Sequence, residues 1–251
     1  MIENPYPAMW QDLQKGVYRI LNEIGLRAEL GKVIATPRGN VEIDVYAVDE
    51  NSVDKIKYII ECKNWNVNIP QTVVHAFTTV MNEVGGNIGY IISKKGFQIG
   101  AIEYTKNTNI KCLSYEDFQR KYFPIWFEKY FVSKIGDSVD ALVQYVEPIN
   151  SRRERIIDQL PKKKREEFFT LLDRYRNFGI SMAFFEFPRY SSYFSISPPA
   201  DINELKQKLS ELGEEFVFNA IYFRDLLKEL IQKIEEVTGK FHAIFGKNIF
   251  A

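Results

Sequence analysis

Residues 41–63 read VEIDVYAVDENSVDKIKYIIECK, and this stretch decides the fold that the sequence predicts. Apolar and polar side chains alternate from Val41 to Val48, which is the pattern of a β-strand with two unlike faces. Polar residues from Asp49 to Asp54 then indicate a turn, and the isoleucine-rich run from Lys55 to Lys63 indicates a second strand. The two strands are therefore expected to pair as a β-hairpin.

The predicted hairpin gathers charged side chains on one face of a sheet. Residues two apart on a strand point the same way, so Asp44 shares a face with Glu42, and Lys63 shares a face with Glu61. If the hairpin is symmetric about a loop centred just after Ser52, Asp44 falls opposite Glu61. Two adjacent carboxylates repel each other, and a divalent cation such as Mg²⁺ relieves this repulsion. The alternative is a structural hairpin with a surface ion pair, worth less than about 1 kcal/mol.

The flanking sequence alternates between helical and strand patterns. Apolar residues at helical spacing fill residues 9–24, and Gly25 is expected to end that helix. Asn68 is predicted to cap a second helix, which runs to Val84. The remaining predicted elements are a strand at Ile88–Ser93, a helix at Phe97–Lys106, a strand at Ile110–Leu113 and a helix capped by Ser114. This α-β-β-α-β-α-β order predicts a mixed sheet flanked by helices.

The second half of the chain is predicted to be mainly helical. The stretch Phe178–Pro199 is dense in Phe, Tyr and Ser and is expected to be irregular, and its apolar density favours a buried connection or an oligomer contact over base stacking. From Ile202 to Val237, apolar residues recur every three or four positions, which predicts a helical seam broken near Gly213. Such a seam packs within the domain or across a dimer interface.

The composition limits the classes of protein and partner. Basic and acidic residues number 33 each in 251 residues, so any contact with nucleic acid must come from a local basic patch. Cys62 and Cys112 are too few for a disulfide framework and are expected to be buried thiols. The sequence shows neither a signal-peptide pattern nor an apolar run of roughly 20 residues. A cytoplasmic protein without a membrane segment is expected.

The order of these motifs resembles the PD-(D/E)xK nuclease superfamily, in particular its Mrr-like restriction endonuclease branch. GNVEIDVYAV (39–48) is similar to the family's glycine and strand aspartate, and IIECKNW (59–65) to its acid-x-lysine strand. Residues 88–118 resemble the strand, turn, helix and capped segment that follow. The resemblance implies an α/β fold for residues 1–120, with a mixed four- to five-stranded sheet flanked by helices. A mainly helical region, residues 121–251, would serve regulation, recognition or oligomerisation.

The resemblance also implies catalytic roles. Asp44 and Glu61, with the backbone carbonyl of Cys62, would bind Mg²⁺ or Mn²⁺. Lys63 would position or polarise the attacking water and stabilise negative charge in the transition state. Three auxiliary residues are weighed beside them. Many relatives carry a glutamate where this chain has Gln14, so a second metal ion is in doubt. Glu42 either compensates for the charge missing at position 14 or is only an exposed strand residue. Gln71 either contacts the site or only caps a helix.

Basic residues outside the hairpin are candidates for nucleic-acid contacts, with a solvated turn or helix face as the alternative reading. In the nuclease half these candidates are Lys94 and Lys95, and in the second half they are Arg152, Arg153, Lys162, Lys163 and Lys164.

Two functions from different classes follow from the sequence. The first is a Mg²⁺-dependent endonuclease that hydrolyses DNA in restriction or phage defence. It would act as a homodimer by analogy, with a partner protein or a small-molecule trigger. The second is a catalytically silent nucleic-acid-binding or scaffolding subunit of a defence or repair complex, which Gln14 and the balanced net charge favour. RNA cleavage is a weaker third option.

Overall fold

The computed structural model describes residues 1–185 and 198–250. The chain divides into two compact units, Glu3–Lys129 with Met1, and Tyr130–Ala251 with Ile2. The boundary predicted at residue 120 lies inside a helix, Tyr115–Trp126, and stays a prediction. Each unit is described by itself.

The first unit is a five-stranded mixed sheet flanked by helices, which confirms the predicted fold class. The strand order is β1-β2-β3-β4-β5, with β1, β2 and β3 antiparallel and β3, β4 and β5 parallel. Its elements are α1 (Trp10–Glu23), β1 (Arg27–Thr36), β2 (Gly39–Val48), β3 (Lys57–Lys63), α2 (Gln71–Glu83), β4 (Ile88–Ser93), α3 (Ile99–Thr105), β5 (Ile110–Ser114) and α4 (Tyr115–Trp126).

Strand β1 is absent from the sequence-based order. It pairs with β2 in a hairpin that closes between Thr36 and Gly39. The strand lies at the edge of the sheet, and apolar residues such as Leu30 and Val33 are exposed on it. Because a half-exposed edge strand needs no regular apolar alternation, the periodicity that reveals β2 and β3 is missing here.

The two faces of the sheet carry different helices. Helices α2 and α3 pack Phe77, Met81 and Ala101 into the apolar cluster around Ile59 and Ile91 of the sheet. Tyr90, the strand neighbour of Ile91, points to the opposite face. There its ring contacts Phe118 and Tyr122 of α4, at ring-centroid separations of 5.9 Å and 6.2 Å respectively. Helix α1 packs against α4 and the sheet. The sheet is therefore covered on both sides.

Local signals for helix ends are partly correct. Gly25 has a φ of +92° and ends α1, with the N–H of Leu26 donating to the carbonyl of Leu21 at 3.0 Å. The hydroxyl of Ser114 accepts from the backbone N–H of Asp117 at 3.0 Å, so the predicted cap of α4 is confirmed.

The predicted cap at Asn68 is wrong, because α2 begins three residues later, at Gln71, without a side-chain cap. Ile69 instead forms a parallel bridge with Phe97, and its N–H donates to the carbonyl of Gly96 at 2.9 Å. This long-range pairing holds the backbone extended where a capping box would have started the helix. Sequence spacing carries no information about such a pairing.

The second unit is helical throughout its regular elements in the described residues. A π-helical segment, Phe127–Val132, precedes these elements. They are α5 (Ser133–Val146), α6 (Ser151–Asp158), α7 (Lys162–Phe184), α8 (Ile202–Ser210) and α9 (Phe223–Phe245). The break predicted near Gly213 is present, since α8 ends at Ser210 and Gly213 has a φ of +151°.

The irregular stretch predicted for Phe178–Pro199 is wrong in its first part. Helix α7 continues to Phe184, and Phe178 and Met182 are buried side chains of that helix. Aromatic residues at helical spacing pack a helix as readily as they fill a loop, so composition misled the prediction. Residues 186–197 of the stretch lie outside the described residues.

Candidate active site

The candidate site lies where β2 and β3 stop pairing. Their paired residues run from Val48 and Lys57 to Val45 and Ile60, a register that places Asp44 opposite Glu61 and confirms the predicted symmetry of the hairpin. Beyond this point β3 stays paired with β4 as far as Lys63.

The Asp44 side chain occupies the gap that opens between these strands. Its Oδ2 accepts a hydrogen bond from the backbone N–H of Cys62 at 2.7 Å. The carboxylate thus supplies an acceptor that a strand carbonyl supplies elsewhere in an antiparallel ladder. The geometry of the acid is therefore set by the backbone of β3.

The strand on the other side of Asp44 is also irregular. The pairs of β1 and β2 run to Leu30 and Val45 and resume at Lys32 and Ile43, which leaves Gly31 between them with a φ of +59°. A left-handed φ favours glycine, and a Cβ here would lie 3.2 Å from Oε1 of Glu42. Interruptions of this kind re-aim side chains next to functional sites.

Glu61 and Lys63 form an ion pair on the edge of β3 that faces Asp44. Burial raises the pKa of Glu61, and the negative charge of Asp44 raises this pKa further against the opposing effect of Lys63. Burial also raises the pKa of Asp44, although the N–H of Cys62, Lys63 and a hydrogen bond from Gln14 lower it. Two partly desolvated acids beside one ammonium group are therefore undercompensated, a common property of functional sites.

The oxygen ligands available here fit a hard divalent cation. Asp44 and Glu61 offer carboxylate oxygens and Cys62 a carbonyl oxygen. Within residues 1–185 and 198–250, no group of three or more His, Cys, Asp and Glu side chains is placed to hold a metal ion. Zinc sites use three or four such side chains, whereas Mg²⁺ is held by one or two carboxylates plus waters and substrate phosphates. Two carboxylates and one carbonyl oxygen are hard oxygen ligands of the kind that Mg²⁺ takes beside water.

The three auxiliary candidates differ in position. Gln14 of α1 hydrogen-bonds to Asp44, and the charge of Glu42 acts on Asp44 as well. The amide nitrogen of Gln71 donates instead to Nε2 of His75 at 3.1 Å, and the Gln71 side chain packs on Gly100 of α3. The structure thus brings Gln14 and Glu42 to the acids, while the contacts of Gln71 are with α2 and α3.

Lys94 and Lys95 lie in the turn that follows β4, next to the end of β3. The N–H of Lys94 donates to the carbonyl of Lys63 at 3.0 Å. The Ser93 hydroxyl closes the turn by donating to the carbonyl of Gly96 at 2.9 Å. Both lysine side chains are exposed. Two positive charges therefore stand at the rim of the site on a fixed turn.

A groove of about 250 Å³ opens beside the ion pair. It is lined by Glu61, Lys63, Trp65, Val73, Ala76, Phe77 and Val80. The ring centroid of Trp65 lies 5.6 Å from Nζ of Lys63. Sequence reasoning assigned Trp65 no role, although it follows the acid-x-lysine motif by two residues and that proximity was a usable signal.

One basic candidate of the second unit is an incorrect prediction. Arg153 is 4% exposed, and its Nη1 donates to the carbonyl oxygens of Gln144, Tyr145 and Glu147 at 3.3, 3.0 and 2.8 Å. These carbonyls belong to the end of α5 and the residue after it, so the guanidinium caps that helix. A buried cation with this task is not available to a phosphate.

The other basic candidates of the second unit are exposed. Lys164 donates to the carbonyl of Ile244 near the end of α9 at 2.6 Å, which gives it a structural contact. Lys162 lies 3.9 Å from Glu166, and the Arg152 guanidinium lies 5.8 Å from the ring centroid of Phe250. Lys163 lines a groove between α7 and α9. A role for these residues in binding nucleic acid stays a prediction.

None of the helices in the described part of the chain combines the length and the apolar character that crossing a membrane requires.

Comparison with known proteins agrees with the geometry of the first unit. Residues 8–122 match the family Mrr_cat, described as restriction endonuclease. No curated protein matches the chain. A crystal structure titled as that of a protein of unknown function, AF1548, is similar to 95% of this chain and 99% of its own, with 16% identity and a TM-score of 0.39. Residues 8–122, which contain Asp44, Glu61 and Lys63, are therefore similar to a restriction endonuclease domain of the Mrr type.

Proposed function

We propose that the first unit is a Mg²⁺- or Mn²⁺-dependent endodeoxyribonuclease with its active site at Asp44, Glu61 and Lys63. The observation that carries this proposal is the undercompensated pair of acids at the point where β2 and β3 separate, with Lys63 ion-paired beside it. The match of residues 8–122 to a restriction endonuclease family supports the same reaction class.

In this proposal each residue has a separate task. Asp44, Glu61 and the Cys62 carbonyl would hold the cation, which when bound would supply Lewis-acid charge to the scissile phosphate and to a nearby water. Lys63 donates hydrogen bonds to the attacking water or a phosphate oxygen and stabilises charge that builds up on phosphorus. Water adds to phosphorus as the bond to the 3′ oxygen breaks. The products are a 5′-phosphate and a 3′-hydroxyl, which takes up a proton.

Gln14 and Glu42 act on Asp44 in this scheme. The Gln14 amide donates to the carboxylate and orients it without adding a charge. A neutral side chain at this position favours one cation over two. Glu42 contributes a further negative charge near Asp44 and, in this proposal, strengthens cation binding.

The basic residues define where DNA would lie. Lys94 and Lys95 stand on the turn beside Lys63 and contact phosphates next to the cleaved bond in this proposal. The second unit supplies recognition, regulation or assembly, with Arg152, Lys162 and Lys163 as its remaining candidates for DNA contacts. The wider setting we propose is restriction or phage defence in the cytoplasm. There, cleavage of both strands needs two sites and therefore a homodimer, and a partner protein or small-molecule trigger could control it.

Cleavage of supercoiled plasmid in Mg²⁺ tests the nuclease proposal. Lys63→Ala and Asp44→Asn should each lower the nicking rate at least about 100-fold, as loss of one electrostatic contact in a transition state does elsewhere. Lys106→Ala is the matched control, because Lys106 is also ion-paired but lies on the far end of α3. Equal nicking by wild type and all three variants would assign the activity to a contaminant.

The alternative function is a silent DNA-binding or scaffolding subunit, which the neutral Gln14 at the acid cluster favours. Calorimetric titration with Mg²⁺ separates the two. The nuclease proposal expects binding by wild type and none by Glu61→Ala. The silent subunit expects no binding by either protein.

A further inference from the structure

The groove beside the acids is lined mainly by apolar side chains that suit contact with an aromatic ring. One end carries the charged groups of Glu61 and Lys63, while Trp65 and the α2 side chains provide apolar walls. Lysines of the rim lie on the turn after β4 and outside the groove lining. A phosphate would find few donors among these apolar side chains, whereas a nucleobase could stack on the Trp65 ring and contact its apolar neighbours.

Trp65 is a partly exposed tryptophan that lines the groove. It is 42% exposed, whereas Trp126 is fully buried and donates its indole N–H to Glu23. Trp65 lines the groove together with Val73, Phe77 and Val80 of α2, and contiguous apolar surface of this kind commonly marks a ligand-binding groove. Base stacking on an exposed indole is tolerant of sequence because every base has a π-face.

We infer that this groove receives one unpaired nucleobase next to the scissile phosphate, stacked on Trp65. The inference rests on the proposed nuclease function and names its substrate class, which is DNA with an unpaired, mismatched or single-stranded nucleotide at the cleavage position. In a perfect duplex both faces of each base are covered by its neighbours. A base enters a side groove only after leaving the stack, and the cost is least for a base that is already unpaired.

Position in the groove ties the base to the reacting bond. Glu61 and Lys63 line the groove and also belong to the acid cluster, so its occupant lies within one nucleotide of the phosphate that they act on. Lys94 and Lys95 then follow the backbone on the outside of the turn. The chain has equal numbers of basic and acidic residues, so its net charge gives no long-range attraction to DNA. Base stacking in the groove would supply part of the binding affinity that this attraction does not.

Binding without cleavage tests this inference. Fluorescence anisotropy in EDTA compares three labelled duplexes: one fully paired, one with a single unpaired thymidine, and one with an unpaired abasic residue at the same position. Wild type should bind the unpaired thymidine about tenfold more tightly than the other two, the gain expected from one stacked base.

Variants assign the preference to the groove. Trp65→Leu should lose the tenfold preference, and Trp65→Phe should keep most of it because a ring remains. Trp10→Leu is the matched control, since Trp10 is 52% exposed in the same unit but does not line the groove. Circular dichroism melts verify that each variant is folded.

Three results would overturn the inference. They are equal affinity of wild type for all three duplexes, a preference that survives Trp65→Leu, and an equal loss with Trp10→Leu. None of these binding results changes the outcome of the plasmid nicking assay or its dependence on Asp44 and Lys63, so the nuclease proposal would stand. The effect of Asp44→Asn on the nicking rate, by contrast, is judged from the plasmid assay alone.

Discussion

At the scale of single residues, the buried position of Asp44 between β2 and β3 lowers the stability of the folded chain when this acid is ionised. Burial raises the pKa of the carboxyl in the folded chain above its value in the unfolded chain. The folded state therefore binds the proton more tightly, and the stability linked to that proton is present at low pH and lost as the pH rises through the raised pKa. At neutral pH the ionised acid opposes folding.

Asp44→Asn should therefore raise the free energy of unfolding at pH 7.5 in EDTA, and this gain should shrink toward pH 4. Asparagine keeps an acceptor for the Cys62 N–H and carries no charge at either pH. Urea unfolding at pH 7.5 and pH 4 measures this gain. Asp54 is exposed, so the control variant Asp54→Asn should have a free energy of unfolding within about 0.5 kcal/mol of wild type. Mg²⁺ should stabilise wild type and Asp54→Asn but not Asp44→Asn. A variant less stable than wild type at pH 7.5 would contradict the argument.

The parts of the site that the sequence predicted are those that depend on local contacts along the chain. The alternation of β2 and the symmetric loop were enough to place Asp44 opposite Glu61, because both are local properties. Arg153 could not be placed, since its partners are carbonyls of a neighbouring helix end. The groove at Trp65 depends on how α2 packs over β3, which no spacing reveals.

At the scale of elements, two helical glycines show opposite roles. A Cβ on Gly16 of α1 would lie 2.1 Å from the hydroxyl oxygen of Tyr115, so glycine permits α1 to approach α4. Gly239 of α9 has no heavy atom of the described residues within 4 Å of such a Cβ and is exposed. The same substitution is therefore expected to act in opposite directions.

Gly16→Ala should lower the free energy of unfolding by about 1–3 kcal/mol through overpacking. Gly239→Ala should raise it by about 0.5–1 kcal/mol, because alanine restricts the unfolded chain and favours the helix. Chemical denaturation of both variants measures the pair. A gain with Gly16→Ala would mean that α1 and α4 separate easily and that the close approach is unimportant.

Elements were predictable where their signals were local. Gly25 and Ser114 end and begin helices through contacts within six residues. Strand β1 was missed because its apolar residues are exposed at an edge, and the start of α2 was misplaced because Ile69 pairs with distant Phe97. Both errors arise from tertiary pairing that overrides a local preference.

At the scale of the whole molecule, equal numbers of acidic and basic residues leave no general attraction for DNA. If Lys63, Lys94 and Lys95 are the only phosphate contacts, the logarithm of the binding constant should fall with the logarithm of salt concentration with a slope of roughly −3. Lys94→Ala and Lys95→Ala should each make the slope shallower by about one.

Anisotropy titrations at several salt concentrations measure this slope. Lys162→Ala and Lys163→Ala are the comparison, because both lysines lie on α7 of the second unit. An unchanged slope in these two variants keeps the phosphate contacts within the nuclease unit. A shallower slope would show that the second unit also binds the DNA backbone.

The hydrogen bond from the Cys62 N–H to Asp44 links the buried interior behind β3 to the candidate active site. Cys62 is buried on the side of β3 away from Glu61, and its main chain holds the acid on which the proposed chemistry depends. A substitution that only reshapes the interior at position 62 would move that carboxylate without altering any charged group. The rate of DNA cleavage would then fall because the interior packing had changed. A variant with a cavity behind β3 would therefore show the same loss of activity as a variant of a catalytic residue.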